Sequence, residues 1–155
     1  MKSIIIVLVI VAVLGFGYMT LSNNSNIVSI EGQHKIVVYK SPTCGCCANY
    51  ISYLKKEGYE VEVKNSDILL DQIKSENNIP GEVESCHTSL IDGYFVEGHI
   101  PVEGINKLLA DRPDIAGIGL AGMPVGSPGM PGTKNGNFKI MNIAHDNKVS
   151  SFINL

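Results

Sequence analysis

Residues 36–47 read IVVYKSPTCGCC, and this stretch decides the fold of the chain. Its first half is a short apolar run that ends in a Ser-Pro turn signal, a pattern typical of a buried strand. Its second half contains three closely spaced cysteines, Cys44, Cys46 and Cys47. Residues 47–57 then have apolar side chains at helical spacing, which predicts a helix. A Cys-x-x-Cys pair between a strand and a helix is the context of a thioredoxin-like motif.

The pattern of residues 36–112 predicts an α/β fold in the order β-α-β-α-β-β-α. Residues 59–63 alternate as a half-buried strand does, and residues 67–77 read as a second helix. Asp92-Gly93 between two apolar runs indicates a β-hairpin, and residues 103–112 read as a third helix that ends before a proline. The inner face of the second helix is expected to hold Ile68, Leu69, Gln72 and Ile73. We therefore predict a small thioredoxin-like mixed sheet covered by helices.

The last part of the chain predicts one more pair of strands. Residues 138–144 and 148–155 read as a hairpin around a His-Asp-Asn turn, and we expect it to extend the edge of the sheet. The predicted organisation is therefore a thioredoxin-like metal-binding domain at 35–131, followed by a β-hairpin extension at 132–155.

The N-terminal segment is predicted to export the protein. Lys2 precedes an uncharged and mostly apolar run at residues 3–19, which suits a signal peptide or a single membrane span. The cleavage signal is weak, so residues 1–21 could also remain as a membrane anchor. The positive-inside rule keeps this end in the cytoplasm and places the rest outside, in the periplasm or on the outer face of the cytoplasmic membrane. Residues 22–34 read as a polar linker.

Composition excludes one class of partner. The 155 residues carry a net charge of −3, with 17% charged and 45% hydrophobic residues. Such a chain can bury a core, but it lacks the basic balance of a nucleic-acid-binding domain. We therefore expect no nucleic-acid partner.

The cysteines allow three kinds of chemistry. A framework of two structural disulfides is awkward, because Cys46 and Cys47 are adjacent. A redox pair would use Cys44 as nucleophile, since a helix N-terminus favours its thiolate, and Cys47 as the resolving thiol. A metal site would gather several thiolates, although Cys46 is expected to point away from the other two in a regular helix. Four thiolates would also suit a zinc-stabilised structural module.

Five short motifs resemble one family of proteins. They are YKSPTCGCC at 39–47, SCHT at 85–88, VEGHIP at 96–101, RPDIAG at 112–117 and GMPVGSPGM at 122–130. In this order they resemble the CopG-like family of exported copper-binding proteins, formerly described as a domain of unknown function. The resemblance covers about residues 36–131. It implies a thioredoxin-like fold, a cysteine-rich copper site and a link to copper resistance.

The candidate metal ligands follow from residue type, topology and this resemblance; they are Cys44, Cys46, Cys47, Cys86, His87, Met123 and Met130. Cys86 begins the third strand, which in thioredoxin-like folds faces the Cys-x-x-Cys loop, so we expect it to complete the cysteine cluster. His87 should point to the opposite side of the chain from Cys86 and could bind metal or orient a ligand. The methionines lie in a glycine- and proline-rich loop and could capture a soft metal or cover the end of the sheet. His99 is a weaker candidate, and His34 and His145 are expected to be solvated.

Two function classes remain open at this point. The first is an exported protein that holds Cu(I) in the cysteine cluster and buffers it, transfers it to another copper-handling protein or changes its oxidation state. The second is a thiol–disulfide oxidoreductase that uses the Cys-x-x-Cys pair. Zinc suits the same thiolates, and the preference for copper comes from the resemblance and the methionines.

Overall fold

A computed structural model describes residues 34–155, which contain seven strands and three helices. The strands are β1 (Lys35–Lys40), β2 (Glu60–Asn65), β3 (His87–Ile91), β4 (Tyr94–Glu97), β5 (Gly117–Gly119), β6 (Lys139–Ile143) and β7 (Val149–Asn154). The helices are α1 (Gly45–Lys56), α2 (Asp67–Glu76) and α3 (Val102–Asp111). The predicted signal peptide or anchor at 1–21 and nearly all of the linker lie outside the described residues. Within residues 34–155, no helix has the length and hydropathy needed to cross a bilayer.

All seven strands of this region form one mixed sheet in the order β2-β1-β3-β4-β5-β6-β7. β1 is parallel to β2 and antiparallel to β3, and β4 is antiparallel to β3 and parallel to β5. The predicted α/β class is confirmed, as is the order of its elements through α3. The narrower thioredoxin-like assignment stays a prediction.

Strand β1 contributes fully buried side chains to the hydrophobic core. Ile36 and Val38 are fully buried and alternate with partly exposed neighbours, as the pleat of a strand requires. Helix α1 packs the predicted apolar face against this core, with Tyr50 and Leu54 fully buried. Helix α1 begins where the strand–turn segment ends, so the CGCC sequence lies at the junction between a buried strand and a buried helix face.

Helix α2 buries only part of the predicted face. Leu70 and Ile73 are buried, whereas Ile68 is 79% exposed. The helix is capped by Ser66, whose hydroxyl accepts the Leu69 N–H. The prediction was therefore right for Ile73 and wrong for Ile68, because the sequence pattern does not show which side of the helix the sheet covers.

A tight hairpin joins β3 to β4 at the predicted position. Ile91 pairs with Tyr94, and the two intervening residues, Asp92 and Gly93, have φ angles of 48° and 88°. Positive φ at both central positions is the requirement of a type I′ turn, which Asp-Gly sequences favour. The hairpin places the start of β3 beside the end of β4, and both ends border the CGCC segment.

The C-terminal hairpin extends the sheet edge, as predicted. β6 pairs with β5 and with β7, and its side chains Ile140 and Ile143 are fully buried. The three-residue strand β5 was not predicted, because its sequence Gly-Ile-Gly has no alternating pattern to recognise. The hairpin therefore shares the hydrophobic core with the preceding elements.

This packing makes the hairpin necessary for stability. Ile140→Ala should lower the free energy of unfolding by about 2–5 kcal/mol, because it leaves a cavity in the core. Ser151→Ala, at an exposed position of β7, should change it by less than about 0.5 kcal/mol. Urea denaturation followed by circular dichroism measures both. Equal stability of the two variants would show that the hairpin is peripheral.

Candidate metal centre

Cys44 is the N-cap residue of helix α1. Its backbone is extended, with φ −75° and ψ 101°, and its Sγ accepts the Cys47 backbone N–H at 3.3 Å. The N-terminus of a helix carries unpaired N–H groups and the positive end of the helix dipole. Both favour negative charge on the Cys44 sulfur.

Cys44 and Cys47 are joined by a disulfide, with their Cα atoms 5.4 Å apart. The N-cap position of Cys44 turns its sulfur toward the first turn of the helix, where it also accepts the Cys47 N–H. A disulfide sulfur carries no negative charge and is a poor metal ligand. Both residues must therefore be reduced before they can bind a metal as thiolates.

The sulfur atoms of all four cysteines converge, as predicted for Cys86, and we call Cys44, Cys46, Cys47 and Cys86 the cysteine cluster. All four Sγ atoms lie within 4.8 Å of one another. Cys46 Sγ is 3.5 Å from Cys44 Sγ, and Cys86 Sγ is 3.3 Å from Cys47 Sγ and 3.9 Å from Cys46 Sγ.

Cys46 joins the cluster although the helix is regular. Cys44 lies outside the helix, with extended backbone angles, so its side chain does not follow the helical spacing and can meet that of Cys46. The expectation that Cys46 would point away was therefore wrong.

His87 is fully buried beside the cluster. Its Nδ1 lies 3.7 Å from Cys86 Sγ, whereas its Nε2 is buried without a hydrogen-bond partner among the described residues. Burial, followed by the nearby His99 and Lys74, lowers the pKa of His87 to about 3, so the imidazole is neutral at pH 7. The prediction that His87 points away from Cys86 was wrong, because Cys86 precedes β3 and strand alternation does not govern its direction.

His99 also faces the Cys86 sulfur. Its Nδ1–H donates to the Pro128 carbonyl oxygen at 2.7 Å, which leaves the lone pair on Nε2, 3.6 Å from Cys86 Sγ. Burial lowers the pKa of His99. Cys86, His87 and His99 form a second group whose ligand atoms lie within 4.8 Å of one another. The sequence pattern made His99 a weaker candidate. Its closeness to Cys86 could have been inferred because His99 follows β4, which pairs with the strand after Cys86.

Tyr50 forms a wall behind the two histidines. Its ring centroid is 4.7 Å from that of His87 and 5.3 Å from that of His99, and its hydroxyl donates to the Ile100 carbonyl at 2.9 Å. The helical spacing identified Tyr50 only as a core residue. Its contacts hold both imidazoles in one orientation.

The loop at residues 120–137 lies against the start of helix α1. Asn49 Nδ2 donates to the Gly129 carbonyl at 3.4 Å, and a Cβ atom at Gly129 would lie 2.6 Å from the Tyr50 backbone nitrogen. The structure places Met130 next to this contact, partly buried, and Met123 at the surface, 38% exposed. The role of both methionines as ligands stays a prediction.

The two remaining histidines lie elsewhere. His34 contacts Asp92 at 3.3 Å and the exposed His145 contacts Asp114 at 3.2 Å. Neither belongs to the groups of converging ligands found among the described residues.

The free thiol of Cys86 is held in its neutral form. Burial, and then the adjacent Cys46 sulfur, raises the pKa of Cys86 to about 11. A metal ion that binds this sulfur as a thiolate must therefore displace a proton.

Comparisons with known proteins place this chain beside one family and two solved structures. Residues 83–130 match the family described as "Protein of unknown function, DUF411". Two solved structures, named "Copper resistance protein copG- Form 2" and "Copper resistance protein copG- Form 1", are each 34% identical to this chain, with TM-scores of 0.72. Each match covers 80% of this chain and, respectively, 99% and 98% of the other. None of the curated proteins matches the sequence.

The contact between Gly129 and helix α1 should control the tautomer of His99. Gly129→Ala adds a methyl group that collides with the Tyr50 backbone, so the loop must shift and weaken the hydrogen bond from His99 to Pro128. Gly122→Ala is the matched control, since Gly122 also has a positive φ of 77° but has open space around it. Long-range nitrogen–proton NMR of the His99 ring should show a mixed tautomer population in the first variant only. A single Nδ1–H tautomer in folded Gly129→Ala would show that this contact does not control the tautomer of His99.

Proposed function

Because the chain belongs to the family of the copper resistance protein CopG, we propose that it binds Cu(I) in the cysteine cluster and contributes to copper resistance or homeostasis. The single observation that carries the proposal is the convergence of four sulfur atoms within 4.8 Å. Cu(I) is a soft cation that favours thiolate ligands, and imidazole also suits it. The neutral His87 and His99 stand where they could supply nitrogen ligands or orient the sulfur of Cys86.

Reduction of the Cys44–Cys47 disulfide is the step that prepares the site. An external thiol reductant supplies two electrons and two protons, is itself oxidised to a disulfide, and converts Cys44–Cys47 to two thiols, which then lose their protons as the metal binds. The position of Cys44 at the N-terminus of α1 supports this step, because the helix stabilises the thiolate that forms there. Zinc would suit four thiolates as well, and copper is proposed over zinc because the similar structures are named for copper resistance.

The surroundings of the site suggest how copper is handled. We propose that Met123 and Met130 supply thioether sulfur for Cu(I) on its way to or from the cluster, since one is exposed and the other lies beside the Gly129 contact. The partner would be another copper-handling protein.

Residues 35–131 would form the metal-binding domain, with 132–155 as its extension. Export to the periplasm, free or anchored through residues 1–21, is proposed from the N-terminal sequence.

A thiol–disulfide oxidoreductase is the second candidate. The observation that favours it is the Cys44–Cys47 disulfide at a helix N-terminus, with Cys86 Sγ only 3.3 Å from Cys47 Sγ. In the reduced protein the Cys44 thiolate would attack a substrate disulfide, and Cys47 would then resolve the mixed disulfide. Cys86 and Cys46 would compete with this resolution, which is why metal binding is preferred.

Copper binding should depend equally on cysteines that are distant in sequence. Under anaerobic reducing conditions, Cys86→Ser and Cys44→Ser should each weaken Cu(I) binding by about tenfold or more, because each removes one thiolate from a shared site. Titration against a coloured Cu(I) chelator measures this, with zinc as the competing metal and circular dichroism as the control for folding. Wild-type Cu(I) affinity in folded Cys86→Ser would remove Cys86 from the site.

Disulfide reduction distinguishes the two candidate functions. The reduced wild-type protein should bind Cu(I) stoichiometrically and should reduce insulin disulfides no faster than dithiothreitol alone, because alternative disulfides among the four cysteines remove the reactive Cys44–Cys47 pair from the catalytic cycle. Turbidity of precipitating insulin gives the rate, and a variant with Cys44→Ser is the control. Rapid insulin reduction together with weak Cu(I) binding would favour the oxidoreductase.

A further inference from the structure

A buried carboxylate lies directly behind the cysteine cluster. Glu97, the last residue of β4, is fully buried and accepts three hydrogen bonds. Its Oε1 accepts the Ser85 backbone N–H at 2.6 Å and also contacts Lys74 Nζ. Its Oε2 accepts the Thr88 hydroxyl at 2.6 Å. Both oxygen atoms of the carboxylate are therefore hydrogen-bonded, and three of its about four acceptor positions are used.

The donors flank the Cys86-His87 dipeptide on both sides. Ser85 precedes it and Thr88 follows it, so one carboxylate spans the segment that carries both side chains. Thr88 is also the register partner of Glu97 in the sheet. Gly98 packs against Ser85, since a Cβ atom there would lie 3.1 Å from the Ser85 side chain. The backbone on either side of Cys86 is thus fixed from β4.

Stability alone does not explain this arrangement. The Lys74 side chain is 11% exposed and that of Glu97 is fully buried, and a buried ion pair contributes little net stability compared with apolar residues of the same volume. Burial raises the pKa of Glu97, whereas Lys74, Thr88 and Ser85 act against that rise. Charge-assisted hydrogen bonds are, however, short and directional, so they fix a local geometry better than apolar packing does.

We propose that Glu97 is a positioning residue that holds the Cys86 sulfur within reach of Cys47 and Cys46. The purpose of this positioning rests on the proposed metal-binding function, since a metal site needs its ligands preplaced. The positioning itself does not depend on metal, because it concerns only the distance from the Cys86 thiol to the thiols of Cys46 and Cys47. Lys74 balances the charge of the carboxylate, and this ion pair links Glu97 to helix α2.

The position of Cys86 can be measured through disulfide formation. In a background of Cys44→Ser and Cys46→Ser, only Cys47 and Cys86 remain, with sulfur atoms 3.3 Å apart. Oxidised glutathione converts the two thiols to a disulfide and releases two molecules of reduced glutathione. The equilibrium constant of this exchange is the effective concentration of one thiol at the other. It is obtained by quenching glutathione mixtures with acid and separating the species.

Glu97→Gln in this background should lower the effective concentration by about tenfold or more, because the bonds that fix the Cys86 segment lose their charge-assisted character. Glu84→Gln is the matched control, because Glu84 lies two residues before Cys86 and 3.8 Å from Lys74 but is exposed. It should leave the effective concentration unchanged. Thr88→Val, which removes one bond and no charge, should cause a smaller decrease and replaces Glu97→Gln if that variant does not fold.

The outcomes separate this inference from the proposed function. An unchanged effective concentration in folded Glu97→Gln, or in folded Thr88→Val where the first does not fold, overturns the positioning role even if the wild type binds Cu(I). A tenfold decrease supports the role even if the wild type fails to bind Cu(I), a failure that would contradict the proposed function alone.

Discussion

The antiparallel pairing of β3 with β1 is the constraint on which the site depends. Lys40, at the end of β1, is the register partner of His87, at the start of β3. The CGCC segment follows the end of β1, and Cys86 immediately precedes β3. A shift of the register would move Cys86 along β1 and turn the strand's side chains to the other face. The buried alternation of β1 and the tight turn at Asp92-Gly93 oppose such a shift.

Around this junction the fold buries two imidazoles beside the partly exposed cysteine cluster. His87 and His99 are fully buried, Tyr50 packs against both rings, and the loop carrying Pro128 closes against helix α1. Burial disfavours charge on the imidazoles of His87 and His99, whose pKa values are lowered, and on the thiol of Cys86, whose pKa is raised. Soft neutral and thiolate donors in such surroundings suit a soft monovalent cation better than a hard one.

The disulfide and the proposed metal compete for the same atoms. Cys44 and Cys47 can be joined to each other or can bind metal as thiolates, and the two states differ by two electrons. If the chain binds copper as proposed, metal binding and thiol chemistry are linked on this scaffold, and the redox state of the surroundings decides which state is populated. This link explains why one short sequence is compatible with both candidate functions.

The local elements of this protein follow from its sequence, because strand and helix periods, the Asp-Gly turn and the strand–CGCC–helix junction are short-range patterns. The convergence of Cys86 with the CGCC segment could also be predicted, since it needed only the order of the elements. The tertiary structure alone decided the closeness of His87 and His99 to Cys86, the exposure of Ile68 and the hydrogen bonds of Glu97. The reason is physical: side-chain direction outside a regular element, the covered face of a helix and the partners of a buried charge depend on neighbours that are distant in sequence.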